Sequence, residues 1–345
     1  MGMKVLLGMS GGIDSSMSAL FLQEQGYDVI GVSFRFLEDD AHFEDAVKLA
    51  DKLNIHHFIL DARKEFQETV IDYFASEYLS GRTPFPCAKC NNHLKWRLIF
   101  EQAERLGCEK VAMGHYVKIV EDENGLFISE GKDKDKDQSF FLWGLSQEEL
   151  KRIIFPLGNF TKLEVKQMAE KRGFFALKEK KESMGACFCS GDYRPYLRSL
   201  VKNPEAYFKR GSFVDESGNI LGLHNGYPLF TVGQRRGFGL QLNKAMFVKE
   251  IHPEQNEVVL APLKNMYQTE FSVKDYRLVN PLLFTNGLDV TVKIRYRKQS
   301  NSAKVLVVDK QTLKIELDEP LESIAPGQTA VFYQEEKVLG GGFII

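Results

Sequence analysis

Two stretches of this chain carry residue types that do chemistry. The first is GMSGGIDSS, Gly8 to Ser16, directly after the apolar run KVLL. Glycines let a backbone approach an anion closely. Free N–H groups and the positive dipole end at a helix start attract negative charge. Ser10, Ser15 and Ser16 add hydroxyl donors, and Asp14 falls where it could cap the helix or hold a Mg²⁺ riding with phosphates. The stretch has no lysine, so it is not GxxxxGK[ST], and it is not GxGxxG. The second stretch is GRTPFPCAKCN, with Cys87 and Cys90 three residues apart. It precedes an amphipathic run (Leu94, Leu98, Ala103, Leu106), which puts both thiols at a helix start where the dipole favours thiolate. Cys187 and Cys189 follow in ESMGACFCSGDY. Four such cysteines suit thiolate chemistry, a zinc site or an iron–sulfur site. On a strand Cys189 would point away from Cys187, which weakens a simple Cys₄ site. Cys108, in RLGCEKV, reads as a core residue.

The elements that position these residues follow from periodicity. KVLLGM, DVIGVSF, HHFIL and KVAMG are short apolar runs alternating with helical stripes such as Ile13, Met17, Leu20 and Phe21. That alternation predicts a parallel sheet covered on both faces, with ligands at the carboxyl ends of its strands. HYVKIVEDENGLFISEG breaks the rhythm with a hairpin signal at Asn124-Gly125. Residues 146–210 read as a small helical middle domain carrying Cys187. From Gly211 onward, short alternating runs separated by turn residues predict an antiparallel β-barrel. The expected division is 1–145, 146–210 and 211–345.

Composition limits the function classes. The 345 residues are 43% hydrophobic and 27% charged, with a net charge of -2. No run reaches the ~18 apolar residues of a membrane span, and no global basic field marks a nucleic-acid partner. RRGFG, RYRK and KDKDK remain as local basic clusters. The five cysteines and the lack of a signal peptide predict a cytoplasmic protein without a disulfide framework.

SGGxDS resembles the PP-loop of the ATP pyrophosphatases, which split ATP between the α- and β-phosphates. A longer ordered set is more specific: GMSGGIDSS, GRTPFPCAKCN, MGHY, KDKDQSFFLWGLS, IIFPLG, ESMGACF, TVGQRRGFGL, RYR, APGQTAVFY and LGGGFII. It resembles the MnmA/TrmU tRNA 2-thiouridylases from Met3 to Ile345. Such a family member is an α/β PP-loop (adenine nucleotide alpha hydrolase-like) domain, a helical middle domain and a C-terminal barrel. The resemblance implies an ATP- and Mg²⁺-dependent tRNA sulfurtransferase that replaces the C2 oxygen of a wobble uridine with sulfur.

By resemblance, ATP lies against Gly8, Met9, Ser10, Gly11, Gly12, Ile13, Asp14 and Ser15, with Phe34 on the adenine side and Gly114 as a further contact. Cys187 carries a persulfide delivered by a sulfur-donor protein. Cys90 is the partner nucleophile, closing a disulfide with Cys187 that a reductant reopens. Phe85, Pro86 and Cys87 match the segment touching the target base. His115, Lys136, Asp137, Gln138, Arg295, Tyr296 and Gln328 match tRNA contacts. The expected assembly is a monomer. The chain departs from the family in having Phe85-Pro86 where Asn-Pro is common, GACF for GICF, the extra Cys189, and Cys87 where some members carry Asp. Alternatives therefore stand beside the first reading. One is a paralog acting on another uridine, or using a [4Fe–4S] cluster on Cys87, Cys90 and Cys187 with external sulfide. Another is a sulfur-free PP-loop synthetase or a retired RNA-binding protein.

Overall fold

The computed structural model describes residues 2–38, 43–174, 185–189, 191–296 and 300–345. The strands β1 (Lys4–Gly8), β2 (Asp28–Arg35), β3 (His56–Asp61) and β4 (Lys110–Ala112) form the expected parallel sheet. Both its faces are covered because the strand pleat sends alternate side chains to opposite sides. Val5 and Leu7 face a core with Met17 and Leu22 of helix α1 (Ile13–Glu24), Ala46 and Leu49 of α2 (Phe43–Leu53), and Val165 further on. Leu6, between them, faces Val32, Trp96, Ile99 and Val111.

The chain then runs through α3 (Arg63–Phe66) and α4 (Asp72–Leu79), joined by a π turn over Gln67–Ile71. A second pair, α5 (Pro86–Cys90) and α6 (Trp96–Leu106), is joined by a π turn over Asn91–Lys95. The hairpin predicted at Asn124-Gly125 forms between β5 (Val117–Asp122) and β6 (Gly125–Glu130). It does not join the parallel sheet.

Part of the stretch expected as a middle domain completes the first sheet. After α7 (Gln147–Leu150), β7 (Ile153–Ile154) pairs parallel with β4, giving the order β3-β2-β1-β4-β7. Then α8 (Lys162–Lys171) lays Val165 and Ala169 into the core that holds α1. A Thr161–Glu164 capping box starts α8. The helical remainder is α9 (Tyr193–Leu200) and α10 (Pro204–Tyr207). Leu197 of α9 is buried, and Tyr193 stacks on Tyr78 of α4 at 4.3 Å.

The β half holds two sheets. The strands β8 (Gly211–Val214), β9 (Ile220–His224), β10 (Phe247–His252) and β11 (Glu257–Ala261) form one, ordered β10-β11-β8-β9, with β8 and β11 parallel. Phe230 and the partly buried Phe238, Leu240 and Leu242, from the long connection between β9 and β10, pack into its core. The short stretch from Pro262 to Met266, with a 3₁₀ turn over Leu263–Asn265, leads from this sheet to the next. The strands β12 (Tyr267–Leu278), β13 (Leu288–Lys293), β14 (Asn301–Val307), β15 (Thr312–Glu322), β16 (Thr329–Gln334) and β17 (Lys337–Ile344) close into a six-stranded barrel through β12–β17 pairing. The β5–β6 hairpin is attached to its outside by the pairing of Ser129 with Lys337. Among the described residues no helix is long and apolar enough to cross a membrane.

A turn of the barrel grips the segment leading to Cys87. The Thr83 N–H donates to the Pro326 carbonyl at 2.7 Å. Gln328 Nε2 donates to the carbonyls of Thr83 and Pro84 at 3.1 and 3.0 Å. Between them Gly327 has φ +92°, and a Cβ there would lie 2.7 Å from the Thr83 oxygen. Gly173 has φ +77° but open space around it. Gly327→Ala is therefore expected to lower the thermal unfolding midpoint by about 2–10 °C more than Gly173→Ala. Equal shifts in differential scanning fluorimetry would show that the contact with Thr83 carries no weight.

Candidate active site

The glycine-serine loop sits at the carboxyl end of β1 and leads into α1, as its composition implies. Its shape is held by its own hydroxyls. Ser15 Oγ accepts the Ser10 N–H at 3.2 Å and donates to the Gly12 carbonyl at 3.1 Å. Ser16 Oγ donates to the same carbonyl at 2.8 Å. Met9 is pinned to β2, its N–H donating to the Val32 carbonyl and its carbonyl accepting Ser33 Oγ at 2.6 Å. Gly12 stands at the N-cap with no side-chain cap. The first N–H groups of α1 are thus without a capping side chain of the protein, the condition for anion binding. Gly114 lies against this turn. A Cβ there would be 3.1 Å from the Asp14 carbonyl carbon, so a larger residue would push on the loop.

Asp14 does not cap α1. Lys162 Nζ, at the first turn of α8, donates to both its carboxylate oxygens at 2.7 and 2.6 Å. Tyr116 Oη donates to Asp14 Oδ1 at 2.6 Å. The loop thus has a lysine after all, delivered from 148 positions away. Sequence reading missed it, since nothing local to IIFPLGNFTK marks a lysine as facing the loop. Its backbone N–H is fixed by Asp133 at 2.8 Å, so the charged loop after β6 helps to place it. A Mg²⁺ arriving with phosphates would find one carboxylate here, Asp14. That fits an ion that takes one or two protein carboxylates and the rest from phosphate and water.

The thiols lie on the other side of β2. Phe34, at the end of β2, stacks on Phe36 at 5.6 Å, Phe36 on Phe66 at 4.7 Å, and Phe66 meets Phe188 edge-on at 6.0 Å. This row of rings leads from the carboxyl end of β2, next to the Ser33 that holds Met9, to the residue beside Cys187. Phe188 packs into the cluster that contains Cys90, Val70 and Leu94. Cys90 is buried, Cys87 half-buried and Cys187 exposed.

The thiolate expectation is corrected by burial. Burial pushes Cys90 up to about 11 and raises Cys87 and Cys187 as well. One charge opposes this at all three sulfurs, the ammonium of Lys95. It sits at the end of the π turn that follows Cys90, and no carboxylate among the described residues pairs with it. Among the described residues no three His, Cys, Asp or Glu side chains come together as a metal site.

The residues matched to tRNA contacts separate into two kinds. Phe85, Phe140, Phe141 and Tyr296 form an aromatic group, with Phe85 stacked on Phe141 at 5.7 Å and Tyr296 at 4.7 Å from Phe141. Pro86 is the first residue of α5. Arg295, beside Tyr296, is exposed, and Lys136 is half-exposed. Others are occupied by the fold. Asp137 accepts from Gly131 N and Ser139 Oγ, Gln138 Oε1 accepts the Tyr116 N–H, and Gln328 braces Thr83. His115 is buried between Trp96 and Phe155, and its Nδ1 has no partner among the described residues. Burial, with Lys95 nearby, pushes it down to about 3. The apolar pocket keeps its ring neutral. Arg297 and Lys298 of RYRK, and Glu182 to Met184 of ESMGACF, lie outside the described residues.

Comparison with known proteins agrees with this geometry. Residues 3–191 match the tRNA methyl transferase HUP domain, 203–262 the tRNA methyl transferase PRC-barrel domain, and 268–344 the aminomethyltransferase beta-barrel domain. A tRNA-specific 2-thiouridylase MnmA 2 of Phocaeicola vulgatus is 50% identical, covering 99% of this chain and 98% of its own. The chain belongs to the MnmA tRNA-specific 2-thiouridylase family. An MnmA 1 of Bacteroides fragilis is 51% identical over 99% of this chain and 97% of its own, and an MnmA of Syntrophomonas wolfei is 41% identical over 99% and 100%. The MnmA matches span almost the whole chain, the stretches Gly8–Ser16 and Cys87–Cys90 included.

Lys95→Met removes the cation shared by the thiols. Alkylation of Cys87 and Cys187 by iodoacetamide at pH 8 is expected to slow several-fold, the rate–pH profile moving to higher pH, while Lys95→Arg restores it. Superimposable profiles for Lys95→Met and the parent would remove Lys95 from the site's electrostatics.

Proposed function

We propose that this chain catalyses the ATP-dependent 2-thiolation of the wobble uridine of tRNA. Family membership supports the substrate class and the reaction. The observation that supports the mechanism is the row of rings from Phe34, beside the Ser33 that holds Met9 of the loop, to the cluster shared by Cys90 and Phe188. In this reading the activating site and the sulfur site are linked through the carboxyl end of β2.

The uracil C2 oxygen is a poor leaving group. It attacks the α-phosphate of ATP, pyrophosphate departs, and the oxygen becomes part of AMP. Residues Gly8 to Ser15 hold the departing pyrophosphate through backbone N–H groups and serine hydroxyls. Asp14 is the carboxylate that would hold an accompanying Mg²⁺, and Lys162, its present partner, would then be available to the phosphates. Phe34 contacts adenine and Gly114 leaves room for the loop. The terminal sulfur of a Cys187 persulfide then attacks C2 and AMP leaves. The Cys90 thiolate attacks Cys187 Sγ, the S–S bond to the transferred sulfur breaks, and the thiouridine is released. Two thiols have become a disulfide, and the sulfane sulfur has been reduced. A dithiol reductant resets the pair, and a sulfur-donor protein reloads Cys187.

The base must leave its stack to reach these groups. Phe85, Phe141 and Tyr296 offer it a stacking surface beside Pro86 and Cys87, and Arg295 and Lys136 offer cations to the backbone. The buried Cys90 needs a proton acceptor or the Lys95 charge to react near neutral pH.

Mass spectrometry of tRNA nucleosides from a deletion strain tests the reading. The parent gene is expected to restore 2-thiouridine and Cys187→Ser to leave none. Restoration by Cys187→Ser would overturn the persulfide. For the first half-reaction, Lys162→Met should raise the KM for ATP in pyrophosphate release by roughly 10–100-fold, the worth of a charge-assisted contact. An unchanged KM would leave Lys162 as a purely structural partner of Asp14.

A further inference from the structure

The mechanism above uses two thiols, yet three share the site. Cys87 lies one helical turn before Cys90, in the first turn of α5. Residues three apart on a helix are surface neighbours, with Cβ atoms about 5–6 Å apart. A disulfide needs about 3.5–4.5 Å, so the turn must tighten by only about 1–2 Å. The start of that turn is its weaker end: Phe85 at its N-cap provides no side-chain cap, and the Lys89 N–H to Phe85 carbonyl bond is long at 3.3 Å. Cys187 approaches the same pair through Phe188, which is seated in the Cys90 cluster. Lys95, with no carboxylate partner among the described residues, places a positive charge near all three sulfurs.

A Cys90–Cys187 disulfide would also tie the Gly185–Cys189 segment to the core. Cys187 is exposed when free, which is what a donor protein requires. Bonded to the buried Cys90, it cannot be reloaded. Something must release it, and an outside reductant has poor access to Cys90.

We propose that Cys87 is the resolving thiol: it exchanges with the Cys90–Cys187 disulfide, freeing Cys187 and leaving a Cys87–Cys90 disulfide in α5. This rests on the persulfide reading above. Cys87 loses its proton to solvent and its thiolate attacks Cys90 Sγ. The Cys87–Cys90 bond forms, the Cys90–Cys187 bond breaks, and Cys187 departs as a thiolate beside the Lys95 ammonium. No electrons enter or leave in this step; the oxidation moves from one pair to another. A dithiol reductant then reduces the half-exposed end of the pair at Cys87.

The test is disulfide mapping after one turnover. Enzyme loaded with persulfide by inorganic polysulfide is mixed with ATP, Mg²⁺ and unmodified tRNA without reductant, quenched in acid, alkylated and digested for mass spectrometry. Disulfide is counted per thiouridine formed. The parent is expected to carry Cys87–Cys90 with Cys187 alkylated. Cys87→Ser, whatever its rate, is expected to carry Cys90–Cys187 and to stop at a single product per enzyme when a protein dithiol is supplied. A parent that ends with Cys90–Cys187, or a Cys87→Ser enzyme that turns over repeatedly, would overturn the resolving role while leaving sulfur transfer intact. A parent that forms no thiouridine would instead overturn the reading on which it rests, and the resolving role with it.

Discussion

The grip of Pro326, Gly327 and Gln328 on Thr83 and Pro84 is the constraint on which the arrangement depends. It joins positions 245 residues apart through backbone carbonyls and one amide side chain. Residues Phe85 to Cys90 follow at once, so the barrel fixes where the CxxC helix begins. Tyr296 is carried by the same barrel and completes the aromatic group around Phe85. A base-stacking surface built from two domains is only as precise as their junction. Here the junction consists of hydrogen bonds to main-chain atoms, whose positions do not depend on side-chain rotamers.

A second constraint governs the nucleotide loop. A P-loop lysine lies within the loop and moves with it. Lys162 instead enters from α8, whose start is fixed by a capping box and by Asp133. The cation therefore has its own scaffold. Its pairing with Asp14 keeps a carboxylate and an ammonium neutralised at a site built for phosphates. Arrival of a metal and an anion together can exchange one set of partners for another without leaving a bare charge.

Features set by neighbouring residues were legible in the sequence. The strand–loop–helix at Gly8 to Glu24, the hairpin at Asn124-Gly125 and the helix after Cys87 all follow from local spacing. What could not be read depends on distant contacts. Lys162 lies far along the chain from Asp14, and nothing in its own neighbourhood marks it. His115 looked available because a histidine beside a glycine and a tyrosine often is. Its burial comes from Trp96 and Phe155, which no periodicity links to it. The thiols looked activated by a helix start, but burial raises them, and at Cys90 it comes from the apolar cluster of Phe66, Val70 and Phe188. The β half read as one barrel because its strands alternate alike, whereas their pairing, set by distant partners, sorts them into two sheets.

The hairpin on the outside of the barrel has a consequence for biosynthesis. Ser129 waits for Lys337, about 200 residues later on the ribosome. At ~5–20 residues per second that interval is about 10–40 s. During it the β6 edge is unpaired and the Thr83 segment has no barrel to hold it. The nucleotide loop can form early, since its sheet is local. The thiol site cannot, because its brace is among the last residues made. A nascent chain can thus acquire its ATP site well before it acquires an ordered place for reactive sulfur.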